Sequence, residues 1–159
     1  MFDQLDANGQ VVRANFSLGM YDKLPEGHTW IPHVPSRVDT LALVWTAIKA
    51  KREDLSESGG YTVTVAGVAK WFHSDAKSKT QQLALVMFGV NVPTVGWKTM
   101  DGTKVTMSQT LANQIFQAAA SQDMAIFDAA EVHRTTLNLS ADPATYNFSG
   151  GWPAVYMAV

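Results

Sequence analysis

Few residues in this chain have the types and spacing that chemistry requires. The histidines are His28, His33, His73 and His133. His28 and His33 lie in a proline-rich stretch, where a bound metal would need a third ligand such as Asp22 or Glu26. No helix or rigid strand flanks them to preorganise a ligand set, so they read as structural or exposed side chains. His73-Ser74-Asp75 has the residue types of a hydrolytic triad. Adjacent residues cannot line up nucleophile, base and orienter, because a triad is drawn from distant segments. Ser74 and Asp75 read better as the cap and first-turn acid of a helix. Asp128 and Glu131 share a helical face, which without a cleft is a solvated surface; glycoside hydrolysis needs carboxylates about 5–10 Å apart across a cleft. The Glu-x-x-His metal pattern fails because Arg134 stands three residues after Glu131. Ser149-Gly150-Gly151 precedes Trp152-Pro153 and not a helix, so it is no phosphate loop. The chain has no cysteine, which removes thiol catalysis, zinc thiolates and disulfides. No catalytic residue, cofactor or metal is expected, and the chain reads as a binding protein and not an enzyme.

What remains is aromatic. Trp30, Trp45, Trp71, Trp97 and Trp152 are spread one per structural element, and most of them are expected in the core. Trp152 stands apart: it follows the last helix, with Pro153, Tyr156 and Met157 behind it and Tyr146 ahead. Such terminal aromatics either dock on their own domain or are offered to another chain. Charged residues are only 16% of the 159, and apolar ones 47%. The low charge density leaves neutral surface that a protein could cover. A net charge of -2 with no basic stripe argues against nucleic acid. No apolar run approaches the about 20 residues of a membrane span, and Met1-Phe2-Asp3-Gln4 does not open a signal peptide, so a soluble protein is expected.

The elements that must position these residues divide into three stretches: 1–35, a β-hairpin and Pro-rich segment; 36–58, a linking helix; and 59–159, an α+β domain. Asn8-Gly9 predicts a hairpin turn between strands at Phe2–Asp6 and Gln10–Phe16, since both residues tolerate positive φ. Pro25, Pro32 and Pro35 forbid a helix there, and Trp30 and Ile31 are expected to anchor an extended segment on apolar surface. Ser36 and Asp39 form a capping box for a helix whose stripe runs Val38, Leu41, Val44 or Trp45, Ile48 and Leu55, with Gly59 as its left-handed cap. Tyr61–Val65 and Val68–Phe72 read as a hairpin about Ala66-Gly67. A helix capped by Ser74 is expected at Asp75–Phe88, and a second hairpin at Val95–Thr99 and Lys104–Met107 about Asp101-Gly102. Ser108 caps the longest helix, Gln109–Leu139. One stripe holds Leu111, Ile115, Ala118 or Ala119, Gln122, Ile126, Ala129, His133 and Leu137; a second holds Phe116, Ala120 and Phe127. A helix apolar on two flanks must be covered on two flanks, so one is a self-association or partner surface. The fold class is α+β, with short antiparallel hairpins packed on three helices, the last long. Trp152, Tyr146, Tyr156, Phe116 and Phe127 are the candidate partner-binding residues.

Val63–Pro153 also resembles a known domain. The residues that carry the likeness are Trp71-Phe72-His73-Ser74-Asp75, Gln82-Leu83-Ala84-Leu85, Trp97-Lys98-Thr99-Met100-Asp101-Gly102, Val105-Thr106-Met107, Ala130-Glu131-Val132-His133 and Gly150-Gly151-Trp152-Pro153. In order and spacing they look like the C-terminal domain of unknown function of many phage and prophage tail-fibre assembly proteins. The resemblance implies a chaperone that binds the distal, C-terminal region of its cognate tail fibre and promotes folding or trimerisation, in the bacterial host cytoplasm during phage assembly. The alternative it leaves is a virion component retained on the tail, such as a fibre-tip adhesin or baseplate accessory protein. It brings no catalytic residues, and it leaves open whether the protein acts singly or as a homo-oligomer. An exposed hairpin edge could serve the same end by adding a strand to the partner.

Overall fold

The computed structural model describes residues 1–17 and 23–157, so Asp22 lies outside the described residues. Two compact units are present, Met1–Thr40 and Leu41–Val159.

The first unit is a three-stranded antiparallel sheet in the order β2-β1-β3, with β1 at Phe2–Leu5, β2 at Val11–Phe16 and β3 at Thr29–Pro32. The hairpin turn differs from the expected Asn-Gly pair. Only Gly9 takes positive φ (77°), and the loop is closed from Asp6, whose carboxylate accepts the N–H groups of Asn8 and Gln10. A side-chain acceptor thus replaces one left-handed residue. The extended Pro-rich stretch supplies β3, where Pro32 is tolerated because the strand is at the sheet edge. Trp30 packs edge-to-face on Phe16 at 4.7 Å between ring centroids, while Ile31 is exposed. The expected anchor is therefore the indole alone, since alternate strand residues face opposite ways.

Helix α1, Arg37–Ser58, starts on the expected box: Ser36 Oγ accepts from Asp39 N and donates to Asp39 Oδ2. From Leu41 on it belongs to the second unit. Ile48 is fully buried; Leu41, Val44, Trp45 and Leu55 are half-buried and Val38 is exposed. The left-handed residue at its end is Gly60 (φ 67°) and not Gly59, whose N–H still bonds Leu55 O inside the helix. Strands β4 (Tyr61–Val65) and β5 (Val68–Phe72) pair about Ala66-Gly67, both at positive φ. Helix α2 spans Ala76–Met87, and its cap is Asp75, which accepts from Ser78 N at 2.9 Å. Ser74 is not the cap. It is buried and accepts Gly60 N, tying the end of β5 to the end of α1. Of the apolar residues towards the C-terminal end of α2, Leu85 is buried, whereas Leu83 and Met87 are exposed. The inner face also holds Gln82, whose Oε1 accepts the Tyr61 hydroxyl and whose Nε2 donates to His73 O. Strands β6 (Gly96–Lys98) and β7 (Lys104–Thr106) form the second hairpin, and α3, Gln109–Leu139, begins at Ser108, whose Oγ accepts Leu111 N.

The architecture is α+β: short antiparallel strand ladders with three helices among the described residues, the last one long. The second unit has two apolar clusters. Tyr61, Val63, Phe72, Leu85, Val105 and Met107 gather around Leu111, Ala112, Ile115 and Ala119 in the first half of α3. Ile48, Ala130 and Leu137 centre the other, covered by Leu41, Val44, Trp45, Tyr146, Phe148 and Trp152. The tryptophans are each half-buried, and the fully enclosed side chains include Tyr61, Phe72, Ile48, Ile115 and Ile126. The expected tryptophan core is replaced by smaller apolar groups, because an indole is too large to enclose in so small a unit and keeps one edge at the surface.

Candidate partner-binding surface

The long helix presents the two flanks that its sequence encodes. Leu111, Ile115, Ala119, Ile126, Ala129, His133 and Leu137 are buried. The other flank faces solvent: Phe116 is 42% exposed, Met124 67% and Phe127 53%, with Ala120 between. Their spacings of four, four and three place them on one face over about three turns. Met124 belongs to this stripe, and the four-residue step from Ala120 is the signal that shows it. The Arg52 guanidinium lies 4.5 Å above the Phe127 ring and donates to Glu53. It caps one end of the stripe while leaving Phe116 and Met124 open.

The terminal aromatics are placed otherwise. Tyr146, Phe148 and Trp152 pack on the Ile48–Ala130–Leu137 cluster. Trp152 Nε1 donates to Phe148 O at 2.8 Å, its ring lies 5.0 Å from His133, and Lys51 Nζ stands over it while donating to Ser149 O. His133 Nε2 meets the Gly150 carbonyl at 2.9 Å and must donate there, so in the neutral ring Nδ1 accepts the Tyr146 hydroxyl, also at 2.9 Å. Tyr156 N donates to Gly59 O and its ring sits 6.0 Å from Trp71. Three of the five candidate residues, Tyr146, Trp152 and Tyr156, are thus half-buried against their own unit, and Phe116 and Phe127 are exposed.

The titratable groups hold turns and caps. Asp101 closes the β6–β7 turn, accepting from Thr99 Oγ1, Lys70 Nζ, and the N–H and hydroxyl of Thr103; these bonds hold its carboxyl well below the usual range. The Ser78 hydroxyl and N–H lower Asp75. The Asn15 N–H is the main cause that lowers Asp3; burial opposes it, and His33 adds to the lowering. Burial raises the Tyr61 phenol. His28 meets Gln4, and Asp123 pairs with Lys79 at 2.9 Å while accepting Ser56. His73, Ser74 and Asp75 do not converge: Ser74 serves Gly60, and Asp75 serves Ser78. Asp128 and Glu131 border an open hollow of about 440 Å³ with Val132, Thr135 and Thr136. Among the described residues, no three His, Asp or Glu side chains are grouped to hold a metal, and no helix is long and apolar enough to cross a membrane.

A family model described as a domain of unknown function, DUF4376, matches residues 39–150. No curated protein and no solved structure matches the chain.

Proposed function

The chain belongs to the DUF4376 family of domains of unknown function, and we propose, from its exposed helix flank and the resemblance of its motifs, that it is a phage tail-fibre assembly chaperone. It binds the distal, C-terminal region of its cognate fibre through the outer flank of α3 and promotes trimerisation, in the host cytoplasm, without a reaction of its own. The observation that carries this reading is the solvent-facing stripe of Phe116, Ala120, Met124 and Phe127 on a helix whose opposite flank anchors both apolar clusters. A rigid helix with an open aromatic stripe suits an extended apolar partner surface, because the scaffold is ordered before binding and loses little entropy on contact. The likeness of Trp97–Gly102 and the other motifs to tail-fibre assembly proteins names the partner.

The test is co-expression with the fibre encoded beside it. Soluble trimeric fibre should rise, and pull-down should recover a complex that the double variant Phe116→Ser/Phe127→Ser no longer forms. No complex and no gain in trimer would overturn the reading. Mass spectrometry of purified particles decides between helper and tail component: stoichiometric presence on the virion assigns the chain to the tail.

A further inference from the structure

Among the described residues one backbone bond joins the two hairpins of the second unit, beside the side-chain bonds of Lys70 to Asp101 and Thr103. Met100 N, just beyond β6, donates to Trp71 O in β5 at 2.9 Å. Past that bond lies a hollow of about 310 Å³, lined by His73 from the end of β5, Ser78 and Gln81 of α2, and Gly96, Trp97 and Lys98 of β6.

The ladder shows which backbone groups face it. Thr99 N donates to Thr103 O and Met107 N to Val95 O, with Trp97 opposite Val105 between them. Antiparallel pairing alternates, so Val95, Trp97 and Thr99 turn their N–H and C=O groups toward β7, and Gly96, Lys98 and Met100 turn theirs away. Met100 N is taken by Trp71 O. The backbones of Gly96 and Lys98 have no partner among the described residues, and both residues are exposed. This is an open strand edge.

The side chains around it have a charge preference. Lys98 stands directly across from Lys104, and neither is in an ion pair among the described residues. Like charges opposite one another destabilise a strand pair, and an anion set between them would relieve the repulsion. Lys77, also exposed, stands in the first turn of α2 one residue before Ser78. The acids at the start of α2 are already engaged: Asp75 accepts Ser78 N and Oγ, and Glu57 Oε2 accepts Ala76 N. The side chains of His73 and Gln81 make no hydrogen bond to a described residue. The lysines also repel a second copy of the same edge.

We propose that the outward edge of β6 takes an extended acidic segment of a partner polypeptide as an added strand, its carboxylates at alternate positions meeting Lys98 and Lys104 and one side chain entering the hollow over Trp97. The site is separate from the outer flank of α3. Its test uses no fibre, so failure here and failure of the chaperone reading are independent.

The experiment is an amide ¹H–¹⁵N titration of the full chain with a capped peptide alternating Thr and Glu, against the same peptide with Lys for Glu. The acidic peptide should shift the amides of Gly96, Lys98 and their neighbours, and raised salt should weaken it. Gly96→Pro removes an outward N–H without touching the β7 ladder and should cut affinity about tenfold or more, one hydrogen bond plus a steric block. Lys98→Glu/Lys104→Glu, checked for folding by thermal melt, should reverse the preference toward the Lys peptide. Unmoved Gly96 and Lys98 amides at millimolar acidic peptide, or equal response to both peptides, would overturn the proposal. So would shifts of these amides with protein concentration alone, which would assign the edge to a second copy.

Discussion

Asp101 shows how much one carboxylate can organise. It collects three side-chain donors and a backbone N–H around a turn whose Thr99 is 1% exposed. Its folded carboxyl titrates below the ordinary value of 3.8, so the ionised form is the one that the fold prefers. The stabilisation is present above about pH 4 and is lost as pH falls below it toward the depressed folded value. The expected outcome is that Asp101→Asn melts at lower temperature than the parent at pH 6, and that the gap narrows as pH falls from about 5 to 2. Asp3 and Asp75 are lowered as well and tilt both curves alike, so thermal melts of the pair isolate Asp101. Its place in the sequence, Met100-Asp101-Gly102-Thr103, shows a turn. Lys70 as its partner, 31 residues away, does not follow from any local pattern.

Among the elements, the junction after α1 is the most constrained. Gly60 is at φ 67°, and a Cβ there would lie 2.4 Å from Met100 Sδ and 3.0 Å from Phe72 O. Gly60→Ala should destabilise by more than about 1 kcal/mol, since strain from positive φ adds to the overlap with Met100 and the tight approach to Phe72 O. Gly67→Ala meets open space and carries the conformational cost alone. Urea melts of the two variants check the order. The C-terminal segment is a second such element, held by Trp152, His133 and Lys51 through side chains and by the Tyr156–Gly59 backbone bond. Trp152→Ala should raise hydrogen exchange at Tyr156 N–H while amides of Ile115 and Ile126 stay protected, because the segment can open locally while the α3 core stays closed. Unchanged exchange at Tyr156 would show that the segment is held without the indole.

At the scale of the whole second unit, α3 does two jobs on two flanks, and neighbouring residues on it should respond in opposite ways. Ile115 is 1% exposed in the larger cluster, and Ile115→Ala should cost about 2–5 kcal/mol. Phe116, the next residue, faces out, and Phe116→Ser/Phe127→Ser should cost only about 1 kcal/mol or less per site, part of it the Arg52 contact on the Phe127 ring. Denaturant titrations of the two variants make the comparison. A large loss from the phenylalanine pair would mean that the outer flank is structural and not free for a partner.

The amino-acid order by itself determined the local devices. The Tyr61–Val65 and Val68–Phe72 strands, the Ser36–Asp39 box and the Ser108 cap with the full span of α3 need only neighbours within a few residues or a 3.6-residue period. The two-flanked character of α3 was legible for the same reason. Tertiary structure decided the rest. Ser74 looks like a cap, yet Asp75 wins because the Gly60 N–H claims Ser74. Trp152 could have been offered outward, but His133 and Phe148 O hold it inward, and Met100 joins two hairpins at Trp71. Each of these depends on a partner far along the chain, Gly60 for Ser74, His133 for Trp152 and Trp71 for Met100, beside whatever the neighbouring residues offer. A local pattern records only the neighbours, and the distant partner is met only after the chain has folded.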